Sequence, residues 1–345
     1  MGFEYLQKIP TVYEILKEMP LSDELHQVKV NRDREIIDIF LRKSKKILVI
    51  IGPCSAENED AVCEYVARLR KVQDKVKDVL VLVPRVYTNK PRTTGEGYKG
   101  MAHQPTPGKE PNIVEGLKAI RRMHLRVLGE SGLSAADEML YPGNYPYLED
   151  VLSYVAIGAR SVENQQHRLT VSGLDIPVGM KNPTGGDINV MLNSIQAAQL
   201  PHTFIYHQWE VKTSGNVLVH AILRGAHDPL GKNIPNYHYE DLVRVIELYQ
   251  KRKLANQTII VDASHANSNK AFKEQPRVAM EVVESMQRSA LIKKMVRGLM
   301  IESYLVEGRQ EETGHVFGQS ITDSCLGWED SEKFLLNLAE KVKKL

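Results

Sequence analysis

Only three cysteines occur in the 345 residues: Cys54, Cys63 and Cys325. They are too few for a disulfide framework, and a reducing cytoplasm is the default compartment. No two stand at the short spacing usual in structural zinc sites. Long apolar runs are missing as well. No stretch approaches the ~20 residues that a bilayer span requires, so no membrane partner is expected. The N-terminus, MGFEYLQKIP, lacks a secretory core and has Leu6 where a myristoylation site wants a hydroxyl residue. Net charge is only +2; with no bulk basic field, nucleic acid is not expected as a partner. Fixed-period repeats and low-complexity segments are absent. The turn GPCSAEN does not match the glycine-rich dinucleotide fingerprint, which counts against a doubly wound open sheet.

What is present is a full core, with 42% hydrophobic residues, in a patterned order. Residues 1–45 are charged and mixed, with short helical patterns, and read as an N-terminal extension. From residue 46 strand and helix patterns alternate. The apolar runs are ILVIIGPC, VLVLVPR, SAADE, YVAIGAR, IPVGMK, LVHAILR, TIIVDASH and GLMIE. Most are continuous rather than alternating, as expected of parallel strands buried on both faces. Amphipathic helical stretches lie between them, including a long one over 276–294. Eight such units predict an α/β fold, a (β/α)8 TIM barrel over 46–345. Two connections are long. Residues 86–112 carry Gly, Pro and several cations, and loops of that length are usually functional. Residues 202–217 predict a β-hairpin insertion before or at the sixth strand.

Each run ends in a residue capable of chemistry: Cys54, Arg85, Glu138, Arg160, Lys181, Arg224, His265 and Glu302. A barrel brings all of them to one rim. Cys54, His265 and Glu302, with Asp323 just beyond the last strand, form a mixed S/N/O set suited to a divalent transition metal. Taken singly, Cys54 reads as a small buried hydrophobe and His265 as a hydrogen-bonded turn residue; the four together favour a metal. Arg85, Lys90, Arg92, Lys99, Arg160, Lys181 and Arg224 cluster at strand ends or in the loops after them. Arginine forks suit phosphate and carboxylate. Cations after buried strands need anionic partners, from protein or ligand. In KPRTT, at 90–94, Lys90, Arg92 and the threonines are placed to grip a phosphate. The carboxylates Glu138, Glu163 and Asp187 could neutralise some of these cations but not all; beyond that, Glu138 has no assigned role. Of the remaining histidines, His167 reads as a helix-face or supporting residue. His103, His124, His202, His207, His220, His227 and His238 read as structural or solvated.

Together these motifs resemble the type I, α-subclass family of 3-deoxy-D-arabino-heptulosonate 7-phosphate synthases. GPCS (52–55), PRVYTNKPRTT (84–94), IGAR (157–160), PVGMKN (177–182), ILRG (222–225), SHANSNK (264–270), ESYLVEG (302–308) and SITDSCLGW (320–328) follow in order. The resemblance implies condensation of phosphoenolpyruvate with erythrose 4-phosphate, the entry step to aromatic amino acids. It implies Cys54, His265, Glu302 and Asp323 as ligands of one divalent metal, with Mn2+ favoured over Fe2+, Co2+ or Zn2+. Arg85, Arg160, Lys181 and Arg224 would hold phosphoenolpyruvate. Lys90, Pro91, Arg92 and Thr93 would receive the sugar phosphate, with Lys90 and the metal region near His265 handling protons and Cys54 acting as a ligand thiolate. A homodimer or homotetramer is implied, with the N-terminal segment at an interface. The trimmed hairpin, the segment YPGNYPY and Asp175 depart from the family's usual inhibitor pocket, so feedback inhibition by phenylalanine or tyrosine is not expected. Three alternatives stay open. They are condensation with arabinose 5-phosphate, as in 3-deoxy-octulosonate 8-phosphate synthases; condensation with an amino- or imino-sugar phosphate; and a non-catalytic phosphate-binding barrel.

Overall fold

A computed structural model describes residues 2–345. The apolar runs form strands β1 (Ile47–Gly52), β2 (Leu80–Pro84), β3 (Ala135–Glu138), β4 (Leu152–Ile157), β5 (Val178–Lys181), β6 (His220–Leu223), β7 (Ile259–Asp262) and β8 (Val296–Glu302). All are buried on both faces, which is why they read as continuous hydrophobic runs. Each pairs in parallel with its neighbour in sequence, and β8 returns to pair with β1. Between β2 and β3 the ladder thins to a bridge of Arg85 with Ala136 and a bond from Val86 N–H to the Ala136 carbonyl, 2.9 Å. That contact closes the (β/α)8 ring.

The helices are α1 (Val12–Glu18), α2 (Asp23–Phe40), α3 (Glu59–Val76), α4 (Ile113–Ser131), α5 (Gln165–Val171), α6 (Ile188–Ala198), α7 (Tyr239–Lys251), α8 (Gln275–Arg288), α9 (Ala290–Met295) and α10 (Trp328–Val342). Several begin where a side chain satisfies an orphan amide. Asn58, Asn112 and Asp187 accept from Ala61, Glu115 and Asn189 respectively. The stretch 276–294 is not one helix. Ser289 adopts φ −134° and ψ 115°, ends α8, and caps α9 by accepting from Ile292 N–H. A hydroxyl that caps the next turn offsets the bonds lost at the break.

Strand alternation sorts the apolar residues into two cores. Val49, Ile51, Leu82, Val155 and Val261 face the helices. Leu48, Ile50, Val81, Val83, Ala156, Ile222, Ile260 and Met300 fill the barrel. Ile36, Ile39 and Phe40 of α2 join that interior cluster, so the helix from the N-terminal segment plugs the end where the strands begin. The chemistry-bearing ends lie opposite. Ahead of β6, Thr203–Tyr206 pairs antiparallel with Trp209–Lys212. His207 and Gln208 turn this hairpin with φ of 46° and 68°, the positive-φ pair of a type I′ turn. The long connection after β2 is tied down by buried Tyr98, Met101 and Ala102. Among the described residues no helix is long and apolar enough to cross a membrane.

His220, at the start of β6, is fully buried beside Phe40, with ring centroids 4.4 Å apart. Its Nε2 meets the Tyr154 hydroxyl at 2.8 Å and its Nδ1 the Leu218 carbonyl at 2.9 Å. Burial holds its pKa down at about 4, below the unfolded value of about 6.5. The unfolded chain therefore takes up the proton first. Stability from this group is present above pH ~6.5 and is lost as pH falls toward 4, about 2 kcal/mol of it between pH 7 and 5. Urea unfolding at those two pH values is expected to show this slope, and His220→Asn to flatten it. An unchanged slope in the variant contradicts the assignment.

Candidate functional site

Arg85 follows β2 and lies over the ring of Tyr87, its guanidinium carbon 3.7 Å from the centroid. Nη2 donates to Glu302 Oε1 at 3.0 Å, Nη1 donates to the Pro53 carbonyl, and Nε is buried without a partner. Burial works against its charge, but Glu302 outweighs it and the pKa is raised. The chain can approach so closely here because residue 52 is glycine; a Cβ there would lie 2.3 Å from the Arg85 carbonyl oxygen.

Lys181, the last residue of β5, stands 5.6 Å from the same ring. Its Nζ lies 3.5 Å from Glu138 Oε2 and 3.6 Å from Asp262 Oδ2. This answers what Glu138 does: it half-neutralises a buried lysine. Burial pushes its carboxyl up, but Lys181, Lys90 and Arg85 together hold it below the usual range. Gly158 leaves room for it, since a Cβ there would sit 2.5 Å from Glu138 Oε1.

A cavity of about 200 Å³ opens over these groups. Seven cations line it: Arg85, Lys90, Arg92, Arg160, Lys181, Arg224 and Lys270. Glu138 and Asp323 are the acidic residues in its wall. Arg224 is buried, and its Nη1 has no hydrogen-bond partner; burial, with Arg160 nearby, lowers its pKa. Arg160 follows a buried strand yet is exposed at the mouth, because it stands three residues past the end of β4, with Gly158 and Ala159 between. Pro91 and Arg92 line the wall, with Arg92 Nε bonded to the Tyr98 carbonyl at 2.8 Å. Thr93 is exposed and, like Lys99, is not part of the wall.

A second cavity, about 250 Å³, adjoins the first through His265, Lys270 and Asp323 and is also lined by Glu302. Cys54 Sγ lies 3.5 Å from Asp323 Oδ2, and Lys90 Nζ is 2.9 Å from both Cys54 Sγ and the Cys54 carbonyl. Burial, then Glu302, raise the Cys54 thiol to about 11. Burial opposes the charge on Lys90, but Cys54, Glu302 and Asp323 outweigh it and raise its pKa. Asp323 is pulled down to about 2, Lys90 and Lys270 overcoming burial. His265 Nδ1 meets Asp262 Oδ2 at 3.0 Å and Ser264 Oγ at 2.8 Å. A carboxylate on one imidazole nitrogen is how ligating histidines are commonly oriented. The donor types therefore suit a divalent cation. Among the described residues, however, no three such side chains are gathered into a ready-made cage; Lys90 and Arg85 occupy Cys54 and Glu302 instead.

Several working residues were not evident in the sequence. Asp262 is fully buried and links Lys181 to His265; its position ending the run TIIVD was the available signal. Lys270 and His227 line the anion cavity, although His227 read as structural or solvated. Gln275 grips the Glu302 backbone at both ends, accepting from its N–H at 2.7 Å and donating to its carbonyl at 3.0 Å. Asn182, Asn236 and Asn267 join the ends of β5, β6 and β7 through hydrogen bonds of their side-chain amides. His167 bonds the Leu140 carbonyl and Asn164, and lies outside both cavities.

Comparison with known proteins gives concordant matches. The model of the DAHP synthetase I family matches residues 23–336. A phospho-2-dehydro-3-deoxyheptonate aldolase of Haemophilus influenzae is 39% identical over 97% of this chain and 92% of its own length. The enzyme of that name from Escherichia coli, described as Phe-sensitive, is 39% identical over 99% and 96%. A solved aldolase structure from Francisella tularensis superposes with a TM-score of 0.91, 30% identity and 99% coverage of both chains.

The cavity is expected to bind inorganic phosphate and raise the melting temperature, by about 2.7 kcal/mol of stabilisation at a hundredfold excess over Kd. Arg224→Ala should weaken that binding at least ~10-fold in titration calorimetry, and Lys71→Ala, on an exposed helix face, should leave it unchanged. Equal affinity in all three proteins contradicts the role given to the cavity.

Proposed function

Since this chain belongs to the DAHP synthetase I family and carries the phospho-2-dehydro-3-deoxyheptonate aldolase activity, we propose that it joins phosphoenolpyruvate to D-erythrose 4-phosphate with one divalent metal ion as cofactor. That activity is the first step of the shikimate pathway. The observation that carries the substrate reading is the cavity of seven cations in which the buried Arg224 Nη1 has no protein partner. Two phosphorylated substrates, one also a carboxylate, supply the anions that the protein withholds.

Arg85, Lys181, Arg224 and Arg160 hold the phosphate and carboxylate of phosphoenolpyruvate. The Tyr87 ring and the carboxylates of Glu138 and Glu302 fix the directions of Lys181 and Arg85, so little reorganisation is needed as charge shifts. Lys90 and Arg92, with Pro91 stiffening the loop, receive the aldose phosphate; Thr93, outside the wall, is the weakest of that set. Cys54, His265, Glu302 and Asp323 would hold the metal. Such an ion, when bound, supplies Lewis-acid polarisation of the aldehyde carbonyl. Lys90 Nζ keeps its proton beside Cys54 Sγ and is the group positioned to protonate the oxygen of the former aldehyde. We assign the enzyme to the cytoplasm as a homodimer or homotetramer.

Relatives such as the Escherichia coli enzyme are named Phe-sensitive. With Asp175 and the short hairpin in the region of the family's inhibitor pocket, phenylalanine and tyrosine are proposed not to be feedback inhibitors of this chain. An inhibition constant in the micromolar range for phenylalanine or tyrosine overturns that part.

Release of phosphate from phosphoenolpyruvate is expected with erythrose 4-phosphate and Mn2+, and not with arabinose 5-phosphate. No turnover with any aldose phosphate favours the inert barrel. Cys54→Ala is expected to lose metal-dependent activity and metal binding by titration while its circular dichroism is kept; full activity in chelator refutes the metal. Arg92→Ala is expected to raise KM for the aldose roughly 10-fold or more and that for phosphoenolpyruvate far less. Equal shifts in the two contradict the division of subsites.

A further inference from the structure

The β2–β3 seam has the fewest ladder bonds in the barrel, yet residues on both sides of it, Lys90 after β2 and Glu138 ending β3, enter the site. Past the bond from Val86 N–H to Ala136, the next donor on the β2 side is Thr88 N–H. Its acceptor is not a carbonyl. It is Asp137 Oδ1, at 2.9 Å. The same oxygen accepts from Glu138 N–H at 2.7 Å. Oδ2 accepts from Thr88 Oγ1 at 2.5 Å and meets His124 Nε2 at 3.3 Å. His124 Nε2 donates to that oxygen in the tautomer that carries its proton there. Asp137 and His124 are both buried, and His124 reaches the seam from α4.

An apolar residue would fill this space at lower cost than a buried carboxylate. Four donors from three segments converge on it instead. Two of them are main-chain amides, one leading two residues on to Lys90 and the other belonging to Glu138. Lys90 Nζ contacts Cys54 and Glu138 contacts Lys181, so one side chain sets the spacing between the aldose side of the rim and the phosphoenolpyruvate side. We infer that Asp137 is a positioning residue for the condensation, holding Lys90 and Glu138 in register across the β2–β3 seam, with His124 as its support. This inference rests on the substrates proposed above.

The test uses the full-length, metal-loaded enzyme with Asp137→Ala, Asp137→Asn and Thr88→Val. In Asp137→Ala the amides of Thr88 and Glu138 lose their acceptor, and hydrogen exchange in the peptide covering 87–90 is expected to quicken at least ~10-fold. The kcat is expected to fall roughly 10- to 100-fold and the aldose KM to rise at least ~5-fold, with the KM for phosphoenolpyruvate within about twofold. Asp137→Asn retains an oxygen for both amides and is expected to recover to within about threefold of the unsubstituted enzyme. Loss of activity that tracks only the folded fraction, with both KM values unmoved and no recovery by Asn, overturns the inference. So does normal kinetics in Asp137→Ala. If that variant does not fold, Thr88→Val, which removes the hydroxyl's bonds with Asp137 and Asn89 and keeps the Thr88 amide on Asp137, is expected to raise the aldose KM about threefold, and no change there overturns it. Absence of turnover by the unsubstituted enzyme defeats the substrate reading itself; normal turnover with unmoved variants defeats only the role of Asp137.

Discussion

Arg85 and Lys181 crowd the ring of one buried tyrosine at the ends of β2 and β5, and the rest of the rim is arranged around compensating both. Two cations over one ring in a low-dielectric interior repel each other, so each needs a carboxylate, and leaving one such buried charge without its counter-ion typically costs about 3–5 kcal/mol. Glu302 compensates the arginine, while Glu138 and Asp262 flank the lysine. Compensation stops there. Arg224 keeps a buried nitrogen without a partner, and Arg92 and Arg160 have no ion pair among the described residues. Full neutralisation would make the cavity an inert ion-pair network. Partial neutralisation holds the first two cations in place and leaves an anion site open.

The carboxylates serve two neighbours at once, and this ties the anion cavity to the proposed metal donors. Asp262 lies between Lys181 and His265; Glu302 faces both Arg85 and the adjoining cavity. Charge placed on one side is therefore felt on the other. The loops that carry these groups are held mostly by neutral amides: Gln275 on Glu302, and Asn182, Asn236 and Asn267 across β5 to β7. Amides supply donor and acceptor together without altering the charge balance. At the seam, where a carboxylate does this work, four donors surround it.

The barrel was legible because buried parallel strands have no solvated face. ILVII and TIIV have no polar alternation to confuse them, and each was followed by a helical stretch of the right length. The strand-end residues were legible for the same reason: a charged side chain after such a run has nowhere to go but the rim. Arg160 shows the limit of that argument, since three residues past β4 suffice to bring it to the surface. That Glu138 could neutralise a rim cation was legible; which one was not, because its partner Lys181 stands 43 residues away. Ser289 breaks a stretch whose apolar periodicity runs through it, and only its dihedral angles and capping bond reveal the stop.

By itself the chain determined its strands, its class and the chemistry types on one rim, all of which follow from local patterning. Tertiary structure decided how charge is shared. It set Glu302 on Arg85, Asp262 between Lys181 and His265, and Lys90 on Cys54, while leaving Arg224 open. It also decided that α2 fills the barrel's far end and that Asp137 bridges the seam. These depend on distances between residues remote in sequence, and Coulomb and hydrogen-bond energies change steeply with such distances.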